Sequence, residues 1–332
     1  MRTRMKKILA AMAAMMAACA LIPVQMQAQA QSSEWSPTKP VRIIVPVVGG
    51  TNDLVARLVA PKLQEVLGQS VVVENKGGAG GNIGADMVAK AQPDGHMLLI
   101  GYNGPIAVNV SLFDKMPYDP QKDLAPITLA VTAPQFLTVH PSVPAKTVAE
   151  LIALAKSQPG KLSYASIAVG SASHLTMEML KTAANVDIVH VPYKGSAPAV
   201  TDILGGNVQT AFFVPGNVLQ YVKSGQIRLL ASTGRKRFAT TPNVPTMIES
   251  GFADFEAVAW IGFLTTGGTP RPIIDRYNRE IVKILNSPEV RDKLLAVEFE
   301  MVAGSPEQFA EWIRTEIARW GKVIKQTGAK VN

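Results

Sequence analysis

Cysteine is nearly absent from this chain of 332 residues, and the single one, Cys19, lies in an apolar segment near the N-terminus. If that segment is removed on export, no disulfide, thiol nucleophile or cysteine-bound metal remains. The spacing of the four histidines also fits no metal site. These histidines are His96, His140, His174 and His190. An exported chain of this kind depends on its hydrophobic core for stability.

Catalytic motifs are missing as well. The sequence has neither the G-x-S-x-G turn of α/β hydrolases nor the H-E-x-x-H motif of zinc proteases. Long runs of lysine and arginine are absent after residue 30, which argues against a nucleic-acid-binding surface. These absences favour a binding protein over an enzyme. An exported hydrolase or lyase acting on a small carboxylate is the alternative.

The first 30 residues have the pattern of a secretory signal peptide. Four basic residues precede an apolar stretch over residues 8–24, and Ala28-Gln29-Ala30 is a small-x-small cleavage site. Lipidation at Cys19 is the weaker alternative because the apolar stretch continues past it. Cleavage after Ala30 removes four positive charges, so the formal net charge falls from +8 to +4. We therefore expect a periplasmic protein whose mildly positive field suits small anions.

Short apolar runs alternate with amphipathic ones along the rest of the chain, which predicts βα units around mostly parallel sheets. The first set of predicted elements comprises strands at 41–46, 71–74 and 97–101, a helix from Asp53, and a helix at 82–91. The second set comprises strands at 127–131, 136–139, 161–166, 188–191, 208–213 and 227–232, and helices at 148–156 and 173–184.

The last part of the chain predicts how the two sets are joined. After a predicted strand at 257–264 the chain is helical, and its final helix begins with the capping box Ser305-Pro306-Glu307-Gln308. These helices have no strands of their own to cover, so we expect them to pack on the first sheet. The chain would then cross between two lobes twice, near residues 125–135 and 255–265. Clefts between domains are common ligand sites.

The two crossings divide the chain into predicted domains. A discontinuous first lobe is predicted from residues 31–124 and 256–332, and the second lobe from residues 125–255. Two crossover strands would form the hinge between them. About 300 residues are enough to bury roughly 75% of the unfolded surface in such an arrangement.

Three turns between a strand and a helix have unusual composition. Residues 49–53 bring backbone N–H groups to a helix start, where they attract a carboxylate, although Asn52 or Asp53 could act only as the N-cap. Residues 166–174 contain three serines and one histidine; Ser171 and Ser173 could be caps alone, but the whole set is more than a cap needs and favours a ligand role. Residues 77–84 fail the spacing of a dinucleotide loop because Ile83 occupies the third glycine position. N–H groups at its helix start could hold an anion, but we favour the interpretation of this last segment as a turn that needs positive φ.

Ordered matches to one protein family cover nearly all of the chain after residue 30. They lie at residues 39–46, 50–57, 73–81, 93–95, 164–166, 173–175, 191–195, 243–246 and 305–309. Together they resemble the tripartite tricarboxylate transporter substrate-binding proteins, also called the Bug family. The resemblance implies a type II periplasmic-binding-protein fold, with two α/β lobes that close on a ligand. It also implies delivery of the ligand to a membrane permease of two subunits; we expect a monomer without cofactor or metal.

The resemblance further implies that amides, hydroxyls and ordered water, rather than an arginine, hold a ligand carboxylate. The first-lobe part of the site would be Val48, Gly49, Gly50, Thr51 and Asn52. The second-lobe part would be Ser166, Ala168, Gly170, Ser171 and His174. The candidate set is completed by Tyr102, Asn103, Phe213 and Trp260, of which Trp260 is either core or cleft wall.

Departures from the family pattern bear on the ligand. The loop from Pro46 to Gly49 is one residue shorter than usual, Pro105 and Ile106 stand where relatives often have Thr and His, and Phe213 stands where many have Asp. The predicted apolar wall is Val48, Ile106, Phe213 and Trp260. An aromatic face can stack on a flat ring, so we predict an aromatic mono- or dicarboxylate, with an aliphatic dicarboxylate as the alternative. An amino acid is disfavoured because its ammonium group would have no carboxylate partner.

Overall fold

Two β-sheets with helices packed on them organise the computed structural model, which describes residues 35–238, 240–253 and 255–329. The predicted signal peptide and its cleavage site lie outside the described residues. We call the first sheet with its helices the first lobe, and the second sheet with its helices the second lobe. This is the two-lobed α/β architecture predicted from the sequence.

Eleven strands are present in the described residues. They are β1 Val41–Val45, β2 Val71–Asn75, β3 Met97–Tyr102, β4 Leu124–Pro134, β5 Phe136–Val139, β6 Ser163–Ser166, β7 Val189–Pro192, β8 Thr210–Phe213, β9 Arg228–Ser232, β10 Val258–Thr266 and β11 Glu300–Met301. The strand order is β11-β4-β10-β3-β1-β2 in the first sheet and β7-β6-β8-β5-β9 in the second.

Ten α-helices accompany these strands in the described part of the chain. They are α1 Gly50–Leu67, α2 Asn82–Ala89, α3 Asn109–Leu112, α4 Val148–Ser157, α5 Ala172–Ala184, α6 Ser196–Leu204, α7 Pro215–Lys223, α8 Arg271–Leu285, α9 Pro288–Leu295 and α10 Pro306–Thr327. A 3-10 turn at Ala79–Gly81 and a π turn at Gly104–Val108 precede α2 and α3. None of these helices combines the length and the apolar character needed to cross a bilayer.

Most strands of each sheet run in one direction, and the exceptions are concentrated where the chain changes lobes. In the first sheet β1 is parallel to β2 and β3, whereas β10 is antiparallel to β3 and β4. In the second sheet β6 is parallel to β7 and β8, whereas β5 is antiparallel to β8 and β9. Both sheets are therefore mixed, because β5 and β10 enter their sheets from the crossings rather than through a βα unit.

The two crossings lie side by side. β4 ends at Pro134 in the first sheet and β5 begins at Phe136 in the second, so Gln135 alone separates them. β10 then pairs with β4 from Val258 to Thr266. Both positions agree with the predicted hinge segments, and the exact bounds of the lobes stay a prediction.

The C-terminal helix α10 packs on the first sheet, as its lack of neighbouring strands predicted. Its buried side chains join the core of the first lobe: Phe309, Ile313, Trp320 and Ile324. Ser305 Oγ accepts a hydrogen bond from the Gln308 N–H, and the Gln308 side chain accepts one from the Ser305 N–H. The predicted capping box is thus confirmed.

Candidate functional site

A cavity with about 530 Å³ of empty space, part of it open to solvent, lies between the two lobes. None of the described residues that line it carries a charge. Candidates predicted from the sequence that line this cavity are Gly49, Thr51, Asn52, Tyr102, Asn103, Phe213 and Trp260. The chain thus brings half of its fourteen predicted site residues together around one space.

Four helices begin at this cavity. The helices α1, α5, α6 and α7 contribute residues of their first turns to its lining, namely Thr51, Ser173, Ser196 and Asn217. Within the described structure, α1, α6 and α7 have no side-chain cap. The first N–H groups of a helix have no partner inside it, and the peptide dipoles place about +0.5 charge at this end. The cavity therefore favours an anion although neither lysine nor arginine lines it.

Asn52 adds an unpaired donor to the same wall. Its side chain is 6% exposed, and its Nδ2 atom has no hydrogen-bond partner among the described residues. A buried polar group without a partner costs about 1–3 kcal/mol, so the amide is ready to donate to an acceptor oxygen. Neither Asn52 nor Asp53 is the N-cap of α1, because Gly49 occupies that position.

Aromatic side chains form much of the remaining wall. Five of them line the cavity: Tyr102, Phe212, Phe213, Trp260 and Phe299. The sequence left open whether Trp260 belongs to the core or to the cleft, and it belongs to both, since it also lies in the core of the first lobe. The cavity thus combines helix N-termini, which attract an anion, with apolar surface that suits rings and methylene groups.

A buried carboxylate, that of Glu316, forms hydrogen bonds with lining residues of the cavity. Glu316 Oε2 accepts hydrogen bonds from Trp260 Nε1 at 2.9 Å, Trp320 Nε1 at 2.8 Å and Asn103 Nδ2 at 3.1 Å. Burial raises the pKa of Glu316, while the bond from Trp320 and the charge of Arg319 oppose that rise. Asn103 Oδ1 accepts from the Trp260 N–H, so both polar atoms of Asn103 have partners in this network.

The polar side chains of the second-lobe loop have their hydrogen-bond partners within the second lobe. Ser166 Oγ lies 2.7 Å from His190 Nε2, and the Gly170 N–H donates to His174 Nδ1 at 3.1 Å. Ser171 caps α5 by accepting a bond from the His174 N–H. The predicted site residues of this loop lie outside the cavity lining: Ser166, Ala168, Gly170, Ser171 and His174.

Two histidines support this loop as a stacked pair. The rings of His174 and His190 lie 4.2 Å apart, and His190 also stacks on Tyr164 at 4.7 Å. Burial lowers the pKa of His174 to about 4 and that of His190 to about 3. Both rings are therefore neutral at neutral pH, which keeps His174 Nδ1 free to accept the hydrogen bond from Gly170.

Two further first-lobe candidates also lie outside the cavity lining. Val48 is 47% exposed, and Gly50 faces Ser196 of the second lobe. Ile106, predicted as an apolar wall residue, is buried in the core of the first lobe because it belongs to the π turn that packs there. The glycine-rich turn fits our interpretation, since Gly78, Gly80 and Gly81 all have positive φ.

Several lining residues were not named from the sequence, namely Gln135, Ser196, Phe212, Asn217 and Phe299, whereas Ser173 is one of the three serines of the predicted 166–174 turn. Two of them had a usable signal. Ser196 and Asn217 lie in the first turns of helices that follow β7 and β8, the same position that drew attention to residues 49–53. No group of three or more potential metal ligands occurs in the described residues.

Comparisons with known proteins identify one family. Residues 55–329 match a family described as the tripartite tricarboxylate transporter family receptor. The protein BugT of Bordetella pertussis is 38% identical over 302 residues, which cover 90% of this chain and 93% of BugT. Among solved structures, R. palustris Rpa4515 with adipate has a TM-score of 0.84 and 38% identity, and the match covers 88% of this chain and 98% of that one. MatC from Rhodopseudomonas palustris with bound malate has a TM-score of 0.84 and 32% identity, with 87% and 99% covered.

Proposed function

Because the chain belongs to the tripartite tricarboxylate transporter receptor family of periplasmic binding proteins, we propose that it captures a small carboxylate between its lobes. Members of this family are solute-binding proteins and not enzymes. In the same proposal, the leader is cleaved after Ala30, the protein is a monomer, and it delivers its ligand to a two-subunit membrane permease.

One observation carries the carboxylate proposal. Four helix N-termini and the unpaired Nδ2 of Asn52 meet at a cavity that no charged residue of the described chain lines. N–H groups at helix starts hold anions well, and a buried amide donor needs an acceptor oxygen. Two similar proteins are known with carboxylates, adipate in Rpa4515 and malate in MatC.

The aromatic wall supports a more specific ligand class. Phe213 and Trp260 line the cavity, and no carboxylate side chain of the described residues lines it to pair with an ammonium group. We therefore propose an aromatic mono- or dicarboxylate such as benzoate or terephthalate. An aliphatic dicarboxylate is the second candidate, and the adipate bound by Rpa4515 favours it.

Calorimetry on the chain of residues 31–332 tests both the binding of a carboxylate and the class of carboxylate. The titrants are benzoate, terephthalate, adipate, citrate, aspartate and glutamate. Free ligand at 100 times Kd adds about 2.7 kcal/mol of stability, which raises Tm by roughly 2 °C or more. Absence of both heat and Tm shift across a broad carboxylate panel overturns carboxylate binding. Tight binding of aspartate or glutamate without binding of any aromatic acid overturns the ligand class alone.

A further inference from the structure

Glycines occupy the places where the two lobes meet. Each of them faces the opposite lobe so closely that an added Cβ would press on one of its atoms: Gly50, Gly80, Gly170, Gly195 and Gly216. We call these five positions the interlobe seam. They come from both lobes, with Gly50 and Gly80 on the first and the others on the second.

The contacts at the seam are made by backbone and by fixed polar atoms. A Cβ at Gly195 would overlap the carbonyl oxygen of Val48, and a Cβ at Gly170 would overlap Asn109 Oδ1. The Val48 N–H donates to the Lys194 carbonyl at 3.2 Å, which is a backbone hydrogen bond from one lobe to the other. Asn109 is fully buried and its Nδ2 atom is held by two acceptors, so its side chain has little room to move away. The lobes thus meet at a spacing that only a residue without a side chain allows.

We propose that Gly170 and Gly195 are positioning residues that set ligand affinity by letting the lobes meet. Neither is a lining residue of the cavity, and Gly170 gives the cleaner test because Gly195 is the N-cap of α6. A side chain at either position holds the lobes apart, and the four helix N-termini then no longer surround one anion. The inference rests on the proposed function where ligand affinity is measured. It does not rest on it where the distance between the lobes is measured.

Positive φ offers a competing explanation for these glycines, and the chain contains a matched control. Gly170 has φ 76° and Gly225 has φ 75°, so alanine must adopt the same positive φ at both positions. The difference lies in the surroundings, because a Cβ at Gly225 has no described atom within 4 Å. Comparison of Gly170→Ala with Gly225→Ala therefore separates the effect of lobe contact from that of backbone strain.

Calorimetry with benzoate and adipate gives the first measurement. We expect Gly225→Ala to lower Tm and leave Kd unchanged, and Gly170→Ala to weaken binding at least about tenfold, since each tenfold step is about 1.4 kcal/mol. Gly195→Ala should weaken binding in the same way. Equal affinities of the Gly170→Ala and Gly225→Ala proteins overturn the inference, provided both unfold cooperatively.

Distances between spin labels give the second measurement, which needs no ligand. The chain has no cysteine after Cys19, so Val72→Cys and Val189→Cys in residues 31–332 place one label on each lobe. Both valines are exposed, at 43% and 46%. We expect the shortest distances in the wild-type background to disappear with Gly170→Ala and to persist with Gly225→Ala. Identical distributions in the two variants overturn the inference, whereas failure of every carboxylate to bind the wild type overturns the proposed function.

Discussion

The loop after β1 and the loop after β6 look equally suited to a ligand in sequence, but they differ in the structure. Residues 49–52 have two polar side chains and line the cavity in part, the start of α1 has no side-chain cap, and Asn52 Nδ2 has no hydrogen-bond partner in the described chain. Residues 166–174 have three serines and one histidine, and these groups bond within their own lobe. A polar side chain near a helix start therefore indicates a ligand site best when local partners leave it free.

The largest expected effect concerns Asn52. Asn52→Asp places a carboxylate in the cavity, and because like charges repel strongly in a closed site, we expect affinity for benzoate or adipate to fall at least about 1000-fold. Asn52→Ala removes one donor and should cost about tenfold. An acidic residue in the first turn of a helix is favourable, so Tm should not fall in Asn52→Asp. Equal calorimetric affinities of the two variants would show that Asn52 does not face the bound anion.

The second effect concerns the stacked histidines, which we expect to make the free energy of unfolding depend on pH. Their pKa values of about 4 and 3 lie below the ordinary value of 6.5, so below pH 6.5 the unfolded chain binds protons that the folded chain does not. The stability from the neutral pair is complete above pH 6.5, declines as pH falls, and is lost by about pH 3. For His174 alone the loss is roughly 3 kcal/mol, since one pKa unit corresponds to about 1.4 kcal/mol.

Urea unfolding between pH 7 and pH 4 measures this loss. His174→Asn keeps an acceptor for the Gly170 N–H but does not titrate, so its free energy of unfolding should depend less on pH than that of the wild type. Parallel curves for the two proteins would contradict the assignment of the low pKa to His174.

The smallest effect concerns Ser171, the N-cap of α5. Ser171→Ala removes the cap and should cost about 1 kcal/mol of stability. Ligand affinity should stay within about twofold, because Ser171 lies outside the cavity lining. If the loss of binding free energy is larger than the loss of unfolding free energy, the second-lobe loop binds the ligand directly, as the sequence predicted.

Elements with a strong local pattern could be predicted from the sequence. The helix expected at 148–156 is observed at Val148–Ser157, and the strand expected at 41–46 at Val41–Val45. The start of α1 was placed three residues late because Gly50 and Thr51 do not favour helix interiors. The helix α7 was missed because Pro-Gly-Asn at its start is typical of a turn.

Site residues were predictable where they follow a strand and hard to find where tertiary packing alone supplies them. Phe299 reaches the cavity from the segment after α9, far along the chain from every loop that was considered. Glu316 meets Asn103 across 213 residues, so no local pattern indicates that one holds the other. The partners that occupy the serines of residues 166–174 are likewise set by how the loop folds on β7 and α5.

The four helix starts at the cavity have a consequence for how the protein responds to its medium. Mobile ions weaken attraction between exposed charges beyond a Debye length of about 8 Å at physiological ionic strength, but they screen buried partners much less. The backbone dipoles at the cavity are fixed and buried, so dissolved ions screen their attraction for a bound anion less than they screen that of a flexible lysine on the surface. The dissociation rate of a bound anion should therefore change little between dilute and saline surroundings, and salt should act mainly on the rate of encounter.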